Sequence, residues 1–339
     1  MPTLLLLQDL NVPAAAIREL IRRYRLPYDL SFAEALAEKS RINVEVVGAV
    51  NAPVDARVLD VFQNVRMVAV AFTGHEHVDK ELCKKRGIKV YNVPAYATDS
   101  VAELTIGLAI SLLRDIPRGD RECRVTLAGR VDWWKGFGPG SDLNGKTVGI
   151  VGLGTIGMRV AELFHAFKCS LIAWARDPAE GDERAKDRRR RFEAAIEKGG
   201  LGGELLPLDE VFARADIVTL HVALNDQTRG LVSQRQFNCM KPGACLINTA
   251  RGGVIDEAAL IEILADPSKG IRAALDVFDP EPLPADDPLL RLPNTILTPH
   301  IAYKTKEALE RRARITIENI KDFLDHADDP NHWPPNRVA

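Results

Sequence analysis

Short apolar runs separated by polar stretches of helical period dominate the chain. In the first hundred residues "TLLLL" (3–7), "NVEVVGAV" (43–50), "VRMVAVA" (65–71) and "IKVYNV" (88–93) read as strands. A helical pattern, "AEALAEKS", falls between the first two. Another, "VDKELCKKRG" (78–87), precedes the fourth, with Gly87 placed to cap its C-terminus. Strand–helix–strand alternation predicts a parallel sheet with helices on both faces, an α/β fold. A long helix begins near Thr98, where Thr98, Asp99 or Ser100 can cap it and Glu103 completes a capping box with Ser100. Its body, "VAELTIGLAISLLR", is apolar nearly all round, which predicts burial. A second alternation follows, with strands in "TVGIVG", "SLIAW", "ADIVTLHV", "ACLINTA", "IRAALDVF" and "NTILTPH". Residues 302–325 form one amphipathic helical pattern, and the Pro-rich "DDPNHWPPNRVA" reads as a loosely held tail. The least regular stretch is 179–204. Its centre fits a solvated helix with Phe192 and Ile196 on one side, ended by Gly199 and Gly200.

Composition narrows the class. A length of 339 residues exceeds one ordinary core and predicts two domains. With 46% hydrophobic and 27% charged residues the chain is soluble and globular in composition. A net charge of −2 supplies no drive toward nucleic acid or an anionic membrane, so neither is an expected partner. The basic run Arg188–Arg191 has no aromatic platform beside it. It reads as a solvated helix face or as added positive potential near a phosphate. Cys83, Cys123, Cys169, Cys239 and Cys245 lack CxxC or CxxH spacing, which predicts reduced thiols, no disulfide frame and no metal centre. The apolar run at the N-terminus stops at Gln8, too short for a signal peptide or a spanning helix, and a cytoplasmic location is the expectation.

One loop carries recognisable chemistry. "GLGTIG" follows an apolar strand and opens a helix, the context in which three glycines cradle a dinucleotide. Gly152 permits the tight turn, Gly154 lets the backbone approach a pyrophosphate, and Gly157 lets helix and strand pack closely. Thr155 and Ile156 complete the loop, and the helix N-terminus aims N–H groups at the phosphates. The next strand ends in "LIAWARDP". A carboxylate there would hold the ribose hydroxyls and repel a 2′-phosphate. Ala175 removes that repulsion, and Arg176 offers a charged fork to a phosphate. NADP(H) is thereby favoured. NAD(H) stays open, because Asp177 could take the carboxylate role slightly late and leave Arg176 a solvated loop charge.

Three later stretches occur in order: "LINTARGGVIDEAAL" (246–260), "LDVFDPEPLPADDPLL" (275–290) and "NTILTPHIAYKTKEA" (294–308). With "GLGTIG" and "LHVALNDQTRGLV" (220–232) they resemble the D-isomer-specific 2-hydroxyacid dehydrogenases over nearly the whole chain. The resemblance implies two Rossmann-like domains with parallel sheets. The cofactor domain (102–299) is inserted into a flavodoxin-like substrate domain (1–101 and 300–339). It also implies a catalytic trio of Arg251, Glu281 and His300. The chemistry of each fits on its own terms. His300 can carry a proton near neutral pH, Glu281 can hold one ring orientation, and Arg251 can grip and polarise a 2-oxo acid. By the same resemblance, Asp276 belongs near the nicotinamide carboxamide, Thr249 and Ala250 line the nicotinamide side with His300, Thr105 reaches it from the long helix, and His221 borders the adenosine. Thr105 and His221 fit ordinary packing equally well. The family's proline two residues after that histidine is Ala223 here, which bears on the rigidity of the loop.

The loop "AFTGHEHVD" (71–79) is similar to the family's carboxylate-binding loop and implies Phe72, Thr73 and Gly74 as substrate contacts, with Tyr303 either offering a hydroxyl at the substrate mouth or packing. The nearest branch is glycerate dehydrogenase and hydroxypyruvate reductase. That implies a small 2-oxo or 2-hydroxy acid substrate, hydroxypyruvate or glyoxylate first. D-lactate, or a nucleotide-sensing scaffold or corepressor role, remains open. A phosphorylated substrate is disfavoured because "FTGHEH" holds no Arg or Lys. Helix 102–114 and "RVDWWKGF" (130–137), with Trp133 and Trp134, are the expected parts of a homodimer interface, although such aromatics suit a core equally.

Overall fold

The computed structural model describes residues 3–7, 44–127, 129, 135, 137–176, 186, 187, 190, 193, 194, 202–326, 329, 332, 334 and 336–338. The helical pattern at 33–40, Trp133, Trp134, Asp177, Phe192, Ile196, and Arg188, Arg189 and Arg191 of the basic run lie outside the described residues. By internal contacts the chain divides into two compact units, Met1–Ala97 with Lys304–Ala339, and Thr98–Tyr303.

In the first unit β1 (Thr3–Leu6), β2 (Val44–Ala49), β3 (Met67–Val70) and β4 (Lys89–Tyr91) form a parallel sheet in that order. Val46, Val47, Val68, Val70 and Val90 are buried, as strands covered on both faces require. Two short helices serve as connections. In α1 (Ala56–Leu59) the Asp55 carboxylate caps the N-terminus. In α2 (Lys80–Lys85) Asp79 caps through Leu82 N–H at 2.9 Å, and Gly87 follows the last turn at φ +68°.

The second unit opens with α3 (Thr98–Arg114) and α4 (Ile116–Glu122). Thr98, Asp99 and Ser100 lie inside the first turn of α3 rather than before it. Asp99 there pairs with Arg159 at 2.8 Å and meets the positive end of the helix dipole. One side of α3 is buried, including Ala102, Thr105, Ala109 and Leu112, while Glu103 and Gly107 are exposed. Then come β5 (Thr147–Val151), α5 (Thr155–Ala166), β6 (Ser170–Trp174), β7 (Gly203–Leu205), α6 (Leu208–Arg214), β8 (Ile217–Leu220), α7 (Gln234–Cys239), β9 (Cys245–Asn248), α8 (Glu257–Ala265), β10 (Arg272–Leu275) and β11 (Thr295–Leu297). The seven strands are parallel, in the order β11-β10-β9-β8-β5-β6-β7. Apolar clusters cover both faces. The chain runs outward from β5 to β6 and β7, then crosses back to β8 on the other side of β5. That reversal opens a crevice at the strands' carboxyl ends. β7 is an addition to the sequence reading. It is a three-residue edge strand with no apolar run to announce it.

The chain returns to the first unit with α9 (Lys306–Asp325). It begins at Lys306 rather than 302 because the Thr305 hydroxyl caps it through Ala308 N–H at 3.1 Å. The C-terminal segment corrects the expectation of a loose tail. Asn92 N–H donates to Asn336 O at 3.1 Å and Val338 N–H to Val90 O at 2.8 Å, making an antiparallel bridge between Tyr91 and Arg337. Asn336 also donates to Asn319 Oδ1 at 2.8 Å. The outer edge of β4 offers unpaired backbone groups, and the tail supplies partners for them.

Candidate active site

The glycine turn stands where β5 ends. Val151 pairs with Trp174 of β6 and Leu220 of β8, so Gly152, Ala175 and His221 follow three neighbouring strand ends. They line one cavity of about 400 Å³ together with Leu153, Gly154, Thr155, Trp174, Arg176, Val222, Ala223, Asn225 and Thr228. Each glycine has its own reason. Gly152 sits at φ +104°, and a Cβ there would meet His221 C at 2.8 Å. At Gly157 a Cβ would come within 2.0 Å of Gly152 O. At Gly154 it would meet nothing within 4 Å, so the backbone is open to a close-approaching group at the N-terminus of α5. Among the described residues no carboxylate lines this cavity, and Arg176 is the cation there; Asp177 lies outside them. Arg176 is exposed and donates to the Gln227 side-chain oxygen. The His221 ring bonds Thr219 Oγ1 at 2.9 Å, and burial pushes its imidazole down to about 3, which keeps it neutral. Ala223 costs the loop no definition. Thr228 Oγ1 donates to Ala223 O at 2.6 Å and accepts from Asn225 N–H at 2.8 Å, while Gln227 N–H donates to Asn225 Oδ1 at 3.0 Å. Ile156 does not line the cavity and packs against the sheet's apolar cluster instead.

A second constellation gathers at the ends of β9, β10 and β11. Glu281 is held at both oxygens: Phe278 N–H donates to Oε1 at 3.0 Å, and His300 Nδ1–H donates to Oε2 at 2.7 Å. The carboxylate only accepts, which assigns the proton to Nδ1 and turns Nε2 toward other partners. Burial alone would raise the Glu281 carboxyl. The His300 hydrogen bond, the Phe278 N–H and the charges of His300 and Arg251 outweigh it and hold Glu281 below the ordinary carboxylate range. Arg251 is therefore close enough for its charge to act on Glu281. Its guanidinium donates to Ala250 O at 2.7 Å. The Tyr303 ring meets His300 edge-on at 5.7 Å.

His300 has φ +51°, a left-handed backbone that a non-glycine residue adopts only when its surroundings enforce it. Asp276 does the enforcing. Fully buried, it accepts Thr298 Oγ1–H at 2.6 Å, Ile301 N–H at 2.9 Å and Ala302 N–H at 2.8 Å, and its carbonyl accepts His300 N–H at 2.8 Å. The role visible for Asp276 is thus support of the His300 turn. Thr105 is likewise fully buried. It donates to Val101 O at 2.8 Å and lies 3.2 Å from Thr249 Oγ1, so it fixes Thr249.

Asn248 escaped the sequence reading. Its Oδ1 accepts Ala250 N–H at 3.0 Å and its Nδ2 donates to Arg251 O at 2.9 Å, shaping the turn that carries Thr249, Ala250 and Arg251. Gly252 presses that turn onto the approach to Glu281: a Cβ would lie 2.1 Å from Phe278 C. An Asn placed two residues before a turn is the signal that could have found Asn248. Phe72, Thr73 and Gly74 stand in the first unit. There Thr73 Oγ1 donates to Val93 O at 2.8 Å, Asn92 Nδ2 donates to Thr73 O at 2.8 Å, and Phe72 packs against Tyr96 at 5.9 Å. In the same loop burial lowers the pKa of His75 and His77, and His75 Nδ1 and His77 Nε2 are buried without a hydrogen-bond partner.

Residues 106–302 match a family described as D-isomer specific 2-hydroxyacid dehydrogenase, NAD binding domain. The chain belongs to that family. It is 36% identical to a D-3-phosphoglycerate dehydrogenase of Archaeoglobus fulgidus over 267 residues, spanning 79% of this chain and 47% of that protein. It is also 36% identical to a glyoxylate reductase of Thermofilum pendens over 269 residues, 79% of this chain and 74% of the other. The chain thus spans about half the length of the first of these relatives. The TT0316 protein of Thermus thermophilus superposes with a TM-score of 0.79 at 32% identity, covering 100% of both chains. The match covers the glycine turn and its cavity, so that turn belongs to the family's NAD-binding domain. The open face at Gly154, at the N-terminus of α5, fits a dinucleotide. Among the described residues no helix is long and apolar enough to cross a membrane.

Proposed function

We propose that the protein reduces small 2-oxo acids to D-2-hydroxy acids with a nicotinamide cofactor. NADP(H) is the preferred cofactor, NAD(H) is a usable alternative, and hydroxypyruvate or glyoxylate is the substrate. The carrying observation is the 2.7 Å His300–Glu281 bond beside the charge of Arg251. Gly152, Gly154 and Thr155 hold the dinucleotide, with Ala175, Arg176 and His221 at its adenosine end and Thr249 and Ala250 at the other. The bound nicotinamide supplies or accepts the hydride.

The remaining chemistry is the chain's own. Arg251 draws the substrate's carboxylate or carbonyl oxygen and offsets charge developing on it. His300 Nε2 delivers a proton to the carbonyl oxygen as the carbon is reduced, and in the reverse direction takes it from the hydroxyl. Glu281 fixes which ring nitrogen does this work and remains ionised while it does. Tyr303 steadies the ring by its edge contact. Phe72, Thr73 and Gly74 are proposed carboxylate contacts on the resemblance of their loop.

The cofactor assignment rests on Ala175 and Arg176 at the strand end, a guanidinium without a carboxylate among the described lining residues. The test is kcat/KM for NADPH and NADH with hydroxypyruvate, glyoxylate and pyruvate, with D-3-phosphoglycerate oxidation as a further arm. The reading expects NADPH to win and hydroxypyruvate or glyoxylate to exceed the others. Ala175→Asp should move the preference toward NADH, since it restores the carboxylate that repels a 2′-phosphate. A parent enzyme that prefers NADH contradicts the cofactor assignment. NADPH binding without turnover of any acid favours the scaffold role.

A further inference from the structure

Away from this chemistry, α9 ends in a cluster of different character. Asp322 and His326 stand at i and i+4, so both side chains share one face of the helix. Beyond it, Asp329 N–H donates to His326 O at 3.1 Å and His332 N–H to Asp329 O at 3.4 Å. His332 Nε2 lies 2.9 and 3.1 Å from the two Asp322 carboxylate oxygens. His326 Nδ1 lies 3.7 Å from Asp322 Oδ1, and the two imidazole rings stack at 4.1 Å and 16°. One donor atom from each residue falls within 4.8 Å of the others.

We propose that Asp322, His326 and His332 bind a divalent transition-metal ion of the zinc type, which clasps the C-terminal segment to α9. Two imidazoles and one carboxylate are a donor set zinc favours, whereas calcium and magnesium require mostly oxygen ligands. Without an ion, His332 Nε2 donates to the Asp322 carboxylate and His326 Nδ1 donates to Asp322 O at 3.0 Å. A cation takes lone pairs from both rings and from the oxygen at once. The side chains are 26 to 46% exposed, which admits the ion and leaves room for water at the remaining position. Tyr91 completes the surroundings, with its hydroxyl 3.5 Å from Asp322 Oδ2. The phenol donates to that carboxylate and orients it. The clasp reaches beyond the helix. The segment it closes is the one that pairs with β4 through Val338 and Asn92. The ion takes no part in the proposed hydride chemistry, so this site stands or falls independently of it.

The test is zinc titration of the chelator-treated full chain by calorimetry at neutral pH, with amide exchange read at Asn92 and Val338. One equivalent is expected. His326→Gln and His332→Gln should each weaken it by at least about tenfold, while His165→Gln, an exposed imidazole on α5, should not. Zinc should slow exchange at Val338 and Asn92 in the parent and leave His332→Gln unchanged. Circular dichroism of each variant checks that α9 persists, and tetrahedral cobalt absorption provides a second readout that needs no stability comparison. Absence of binding, or an equivalent that survives both histidine changes, overturns the site. Binding without any change in exchange overturns the clasp.

Discussion

At Glu281 three neighbours and one opposing cost set the protonation state. Burial works against the charge, while the His300 ring, the Phe278 N–H and Arg251 work for it and win. A depressed carboxyl keeps its ion pair above the folded-state pKa and loses it as the pH falls through that value. The acid limb of kcat/KM for 2-oxo acid reduction is therefore expected below the ordinary glutamate value of 4.5. A limb at or above 4.5 that tracks Glu281 would remove the carboxylate from its assigned role. Gly252 makes a different kind of demand. A methyl group there meets Phe278 backbone atoms at 2.1 and 2.3 Å, and backbone yields poorly. Gly252→Ala is expected to cost about 1–3 kcal/mol and to lower kcat/KM by shifting Arg251. Unchanged Tm with unchanged kinetics contradicts this. The three loop glycines were legible because their spacing and setting state a backbone task. Gly252 was not, because the Phe278 backbone it touches lies at another strand end; Asn248 carried only the weak local signal of an Asn before a turn.

Among the elements, the turn 298–302 shows how a strand end presents the proposed catalytic ring. Its left-handed His300 is tied to one buried carboxylate by Thr298, Ile301 and Ala302 and to one carbonyl by its own N–H. Asp276→Asn turns one acceptor into a donor facing an N–H or O–H. A stability loss of about 1–3 kcal/mol is expected, with a larger fall in kcat than in nucleotide affinity. Urea unfolding and an NADPH titration of the variant check it, and loss of nucleotide binding alone would contradict it. Strands and helices were largely legible from apolar runs and period, since a parallel sheet writes continuous hydrophobic segments. The short edge strand Gly203–Leu205 left no such run. The start of α9 was displaced by a capping Thr305, and the tail's pairing with β4 depends on an edge whose vacancy no local sequence reveals.

For the molecule as a whole, the half-buried neutral His221 ties folding to pH. Its folded pKa, about 3, lies far below the ordinary 6.5. Between those values the unfolded chain binds the extra proton, so stability falls as pH drops from 6.5 toward 3. His75 and His77, also depressed by burial, act in the same direction. Thermal unfolding across that range should show the decline, and His221→Gln should make it shallower. An unaltered slope would place the sensitivity elsewhere. The strand–helix alternation spoke correctly of an α/β chain, and ordered motifs spoke of its family. The proposed NADP(H) preference hangs on single positions at one strand end, and the proposed substrate was not written in any one motif.

The most direct measurement is the single-turnover rate of hydroxypyruvate reduction by the NADPH-loaded protein, parent against His300→Gln. The account predicts that the parent turns over and that the variant slows by about 10²–10⁴-fold with NADPH affinity intact. Equal rates in the two proteins, or a parent that holds NADPH and never oxidises it, would contradict the assignment of His300 as the proton carrier.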